Sequence, residues 1–127
     1  MTTKNLFTFA GIIALIFGLP LIFNPDFVIK TFLVDSTMTA GAAFTMRGYG
    51  ILLSSLGIGL LSARNSVPSA GNRGLLLIIV IGAAVGLINS IYMSIKGLST
   101  NSNWFIVILL AIEASWGILI FARGKTV

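Results

Sequence analysis

Four apolar runs, each long enough to cross a bilayer, leave this chain little choice of architecture. They extend from about Leu6 to Phe23, Ala40 to Ala63, Leu75 to Ile95 and Trp104 to Ala122. A helix rises about 1.5 Å per residue, so about 20 apolar residues cross the roughly 30 Å of hydrocarbon. In lipid the backbone must satisfy its own hydrogen bonds, so such runs are helices unless strands close a barrel. Continuous apolar runs without strict alternation argue against a barrel. Only 9% of the 127 residues are charged, against about 25% in an ordinary soluble domain. Four spans and three connections occupy nearly everything, so residues 1–127 are expected to form a single all-α transmembrane domain, a polytopic four-helix bundle. The first run follows Lys4, but Gly18 is followed by Leu-Pro-Leu-Ile-Phe-Asn-Pro-Asp, which offers no small-residue cleavage site. It is therefore expected to be a retained span.

The absent residue types narrow the chemistry. The chain has no Cys and no His, hence no thiol nucleophile, no disulfide, no imidazole base and no His ligand for haem, zinc or copper. Its carboxylates are Asp26, Asp35 and Glu113, too scattered for a metal cage. No phosphate loop, dinucleotide fingerprint or nucleophile elbow is present. Gly48-Tyr49-Gly50 lies inside a span and is no cofactor loop. The expectation is a protein without catalytic residues, cofactor or metal, and without affinity for nucleic acid. Membrane lipids are its expected surroundings, with a membrane-protein partner or a second copy of the chain as company.

The segment after the first span has its own pattern. Asn24-Pro25-Asp26 is a helix start, with Asn24 as cap, proline at the first helical position and an acid in the first turn. Asp26, Lys30, Thr31 and Asp35 then share one face, while Phe27, Val28, Phe32 and Leu33 cover much of the rest. A short helix over about 25–34, lying in the membrane interface, fits this pattern; an ordered loop packed on the spans is the alternative. Basic residues set the orientation. Lys4, Arg64, Arg73, Arg123 and Lys125 fall on the side of both termini, against Lys30 and Lys96 on the other. Both termini are expected in the cytoplasm.

Polar residues inside the spans are the candidates for function. Charges within lipid are costly and usually face a bundle interior or pair with one another. Counting inward from the helix ends, Arg47 lies about 10 Å deep, Glu113 about 15 Å and Asn89 about 10 Å, with Tyr92 one turn further out. These depths suggest an Arg47–Glu113 ion pair, with Asn89 hydrogen-bonded to one member. Such a pair would serve either as a packing pin or as part of a functional pocket; an Arg47 that snorkels outward instead would leave Glu113 protonated. Ala43, Arg47, Gly50, Ser54 and Gly57 share a stripe on the second span, which places Ser54 among the candidates. Small residues let helices approach closely in lipid, and Gly11, Ala14 and Gly18, or Gly82 and Gly86, mark matching stripes elsewhere.

Phe23-Asn24-Pro25 after the first span, AFTMRGYGILLSSLGIGLL in the second and LLAIEASWGILIFAR in the fourth form a recognisable order. In this order the chain resembles a bacterial family of small four-span membrane proteins of unknown function, relatives of the DoxX-like proteins. The resemblance covers nearly the whole chain, its most specific points being Arg47, Tyr49, Gly50 and Glu113. It implies a four-helix bundle in the bacterial inner membrane and brings no activity with it. An additional Arg often found in the third span of relatives is replaced here by Asn89 and Ser90. The expected role is a non-catalytic integral membrane protein, either an accessory subunit of a membrane complex or a binder of a lipophilic molecule. The alternative is a small proton-coupled exporter with Glu113 as its protonatable carrier. Small multidrug exporters also rely on one membrane-embedded Glu, but carry it in the first span.

Overall fold

A computed structural model describes residues 2–34 and 37–123. The described residues form five helices: α1 (Thr3–Phe23), α2 (Pro25–Phe32), α3 (Ala40–Ala63), α4 (Ala70–Ile95) and α5 (Asn103–Ala122). All but α2 are long and apolar enough to cross a membrane. Most of their surface faces outward: Ile12, Ile16, Leu52, Ile58, Ile81, Val85, Ile88, Phe105, Ile108 and Ile118 are all exposed. An apolar belt of that extent suits hydrocarbon, since soluble monomers rarely expose patches beyond a few hundred Å².

The helices begin where local chemistry starts them. The side chains of Thr2, Asn24, Thr39 and Ser69 each accept a hydrogen bond from a backbone N–H in the first turn of α1, α2, α3 and α4. Asn24 and Pro25 open α2 as the sequence suggested. The short helix after the first span is present, but it ends at Phe32, two residues before the expected boundary. Leu33 instead forms an isolated β-bridge with Ser99. The Val34 N–H donates to the Leu98 carbonyl at 3.1 Å, and the Thr100 N–H to the Phe32 carbonyl at 2.9 Å. Pairing to the α4–α5 loop thus takes the chain out of the helix. On the exposed side of α2, Lys30 Nζ lies 2.7 Å from Asp26 Oδ2. Asp35, expected on the same face, lies outside the described residues, as does Lys125.

Two antiparallel pairs make up the bundle. Helices α1 and α3 pack along their length, as do α4 and α5, whereas α3 approaches neither α4 nor α5 closely among the described residues. In the α1–α3 seam the backbones nearly touch. A Cβ placed on Gly50 would lie 2.7 Å from the Gly18 carbonyl oxygen and 2.9 Å from the Ile22 nitrogen. One placed on Gly57 would lie 2.8 Å from the Gly11 carbonyl oxygen. Glycines seven residues apart on one helix thus face glycines seven apart on the other. The α4–α5 seam is built differently: Val80 fills the notch left by Gly117, and Leu110 packs on Gly86.

The pairs are joined at their two ends. At the end carrying both termini, Leu6, Phe7, Ala10, Leu60, Leu76, Ile79 and Ile120 form one buried cluster across α1, α3, α4 and α5. Phe9 and Trp116 pack beside it, ring centroids 6.0 Å apart. At the other end the pairing between Phe32–Val34 and Leu98–Thr100 ties the α2 segment to the α4–α5 loop. Gly97 turns that loop with φ of 67°, a left-handed cap that glycine adopts without steric cost. Asn103 secures it by donating from Nδ2 to the Ser90 carbonyl and to Ser94 Oγ, both at 2.9 Å.

Two glycines two residues apart on α3 provide a test of the seam. Gly50 has no room for a methyl group, while a Cβ on Gly48 would meet nothing within 4 Å. Gly50→Ala is expected to destabilise the bundle by about 1–3 kcal/mol, the usual cost of overpacking. Gly48→Ala is expected to be neutral or to stabilise by up to about 1 kcal/mol through helix propensity. Unfolding in mixed detergent micelles, followed by circular dichroism, measures both.

Candidate functional site

Between the two pairs, midway along the bundle, the four spans enclose a cavity of about 380 Å³. Its walls are almost wholly apolar: Ala10 and Ala14 from α1, Leu53 and Leu60 from α3, Ile78, Gly82 and Ala83 from α4, and Leu109 and Leu110 from α5. Small residues make the room. Ala10, Ala14, Gly82 and Ala83 project little volume toward it, and a Cβ on Gly82 would meet nothing within 4 Å. The cavity is not sealed, for Ile78 and Gly82 on its α4 wall are exposed. These two residues place the opening on the α4 side of the cavity.

Among the described residues one polar residue stands on this wall, Glu113. It lies ten residues into α5, about 15 Å from the helix start, and is 9% exposed. Among the described residues it makes no ion pair or hydrogen bond; the only salt bridge there is Lys30–Asp26. A charged carboxylate in apolar surroundings without a partner is costly. A proton or a positively charged group from outside the protein would remove that cost.

The expected Arg47–Glu113 pair does not form, and helix register explains why. Gly18 opposite Gly50 and Gly11 opposite Gly57 place Arg47 level with Leu21, near the end of α1. Leu6 beside Gly117 and Phe9 against Trp116 place Glu113 level with about Ala10 and Gly11. The two side chains are therefore separated by about 15 Å along the bundle axis. Arg47 is exposed. Helix α3 begins well beyond the end of α1, so counting inward from Ala40 overstates the depth of Arg47.

The other candidates are dispersed as well. Asn89 is exposed and turned away from the cavity. Tyr92 is exposed, with Lys96 Nζ 5.9 Å from its ring centroid. Ser54 is buried in the α1–α3 seam against Gly18, its Oγ without a hydrogen-bond partner. It is level with Ala14 but does not line the cavity. Gly82, assigned with Gly86 to a packing stripe, divides from it: Gly86 receives Leu110 while Gly82 borders open space. Sequence reasoning missed the small cavity residues Ala10 and Ala83, and placed Ala14 in a packing stripe; it gave no sign that they border a cavity.

No protein-family model, curated protein or solved structure matches the chain.

The register makes a quantitative prediction about Arg47 and Glu113. In a double-mutant cycle with Arg47→Gln and Glu113→Gln, the coupling energy is expected to stay below about 0.5 kcal/mol, as for separated sites. Unfolding of the four proteins in the same detergent measures it. A coupling of several kcal/mol would place the two charges in contact.

Proposed function

We propose that this chain is a non-catalytic, multi-pass membrane protein that holds a lipophilic molecule in the cavity between its two helix pairs. The observation that carries this reading is the combination of an apolar cavity open toward the membrane with a single carboxyl group on its wall. Ligand sites are commonly of this kind, with volumes of about 300–1,000 Å³, apolar walls and very few polar groups that fix orientation. At roughly 30 Å³ per water-sized group, the cavity accommodates about a dozen heavy atoms. A longer chain would extend past Ile78 and Gly82 into lipid.

A bacterial inner-membrane location is part of this proposal, on the order of sequence motifs that resembles the DoxX-like proteins. The charge distribution supports cytoplasmic termini: Lys4, Arg64, Arg73 and Arg123 gather at the end of the bundle that carries them. Arg73 stacks there on Phe121, its guanidinium carbon 5.2 Å from the ring centroid. A role as accessory subunit is compatible with a bound lipophilic molecule, which such a subunit would present to its partner.

A proton-coupled exporter is the second reading, favoured by the position of Glu113 as the sole titratable group on the cavity wall among the described residues. Transport requires that the site reach both sides of the membrane in turn. The cluster of Leu6, Phe7, Leu60, Leu76, Ile79 and Ile120 closes the terminal end of the bundle, which supports holding over passage.

Native mass spectrometry of the chain extracted in mild non-ionic detergent tests the binding reading. The wild type is expected to carry a lipophilic adduct that survives moderate activation. Gly82→Phe, which has room to enter the cavity, is expected to lose the adduct. Gly48→Phe, on the outer face of α3, is expected to keep it. An adduct undisturbed by Gly82→Phe would contradict the cavity as its seat.

A further inference from the structure

The geometry points to a particular class of ligand: a lipophilic molecule with one positively charged nitrogen, its hydrocarbon part in the cavity and its ammonium group on the Glu113 carboxylate. This inference rests on the reading of the cavity as a binding site and adds the chemistry of what it holds. Three observations carry it. The first is the composition of the wall. Among the described residues Glu113 is the only polar side chain there, and no titratable residue of α1, α3 or α4 lines the cavity. The second is that Glu113, 9% exposed, has no internal partner among the described residues. The third is the register of the spans, which keeps the nearest intramembrane cation, Arg47, about 15 Å away along the axis.

These observations discriminate among ligand head groups. An acid would bring a second negative charge to a site with no basic group to receive it. A pure hydrocarbon would leave the carboxyl to take up a proton, with its hydrogen-bonding capacity unused. An alcohol offers one neutral hydrogen bond. An ammonium group offers a charge-assisted hydrogen bond, about twice as strong as a neutral one, and cancels the charge in a poorly screened environment. One carboxyl matches one nitrogen. The arrangement suits a single amine on a chain of about a dozen heavy atoms, with volume counted at roughly 30 Å³ per group. A polyamine would leave its other charges in apolar surroundings.

Three probes with the same ten-carbon chain separate the head groups: decylamine, decan-1-ol and decanoate. Each is titrated against the full chain in non-ionic detergent micelles at neutral pH, with bound probe counted by native mass spectrometry. The wild type is expected to bind one decylamine, decan-1-ol at least tenfold more weakly, and decanoate not at all. Glu113→Gln is expected to weaken decylamine binding at least tenfold and to leave decan-1-ol binding within twofold. Retained decan-1-ol binding also shows that the variant is folded; should it fail to fold, the order of the three probes on the wild type decides. If decylamine and decan-1-ol bind the wild type equally, or the Gln variant keeps its decylamine affinity, the cationic class is overturned and the cavity remains a binding site. If none of the probes binds the wild type, the binding reading falls and the ligand class falls with it.

Discussion

The contact of glycine against backbone between α1 and α3 is the constraint on which the rest of the bundle depends. Gly11 and Gly18 meet Gly57 and Gly50 at distances that exclude any side chain. In lipid, where burying apolar surface brings no hydrophobic gain between helices, close approach of this kind supplies the van der Waals contact that holds spans together. Its consequence is geometric. With α3 drawn so tightly onto α1, it stands away from α4 and α5 along most of its length. The second pair closes on itself through Val80 and Gly117. What joins the pairs is a cluster of side chains at one end and a short stretch of backbone pairing at the other. The space left between these two joints is the cavity.

Glu113 is intelligible only within that frame. Among the other polar groups in the spans, Ser54 Oγ and Trp116 Nε1 are buried without a partner, but neither carries a charge. Arg47, Tyr92 and Asn89 are exposed, and Asn103 is satisfied by Ser90 and Ser94. Asn72, also buried, accepts from Ser66 Oγ and donates to the Val67 carbonyl. Glu113 alone combines burial with an open space in front of it. A carboxyl group in such a place opposes stability, and nothing in the packing of α5 requires one there. A carboxyl retained at a cost is accounted for by something that meets it from outside, which is why the cavity and the charge are read as one site.

Much of the fold was legible in the sequence because membrane spans are constrained by composition and length more than by tertiary contacts. The four spans, the Asn24–Pro25 start of α2 and the glycine stripes of α1 and α3 all follow from local chemistry. Relative register does not. Whether Arg47 meets Glu113 depends on how far α3 overhangs α1, and that is fixed by which glycine faces which. Each stripe repeats every seven residues, so a slip of one repeat would preserve the glycine contacts locally while shifting every polar residue by about 10 Å. The same ambiguity hid the two roles of Gly82 and Gly86, one facing space and the other a leucine. Leu33 and Val34 left α2 for a pairing with Leu98 and Ser99, a contact across more than sixty residues that no local pattern announces.

The central claim is that the two helix pairs stay apart at mid-bundle and leave an apolar space bordered by Glu113. Crystals of the chain grown from a lipidic phase and pressurised with xenon test it most directly, because xenon occupies apolar cavities and is located by its anomalous scattering. The arrangement predicts a xenon site in contact with Ala83, Leu109 and Glu113, lost in Gly82→Phe. A bundle with α3 packed directly on α4, and no xenon between the pairs, would contradict it.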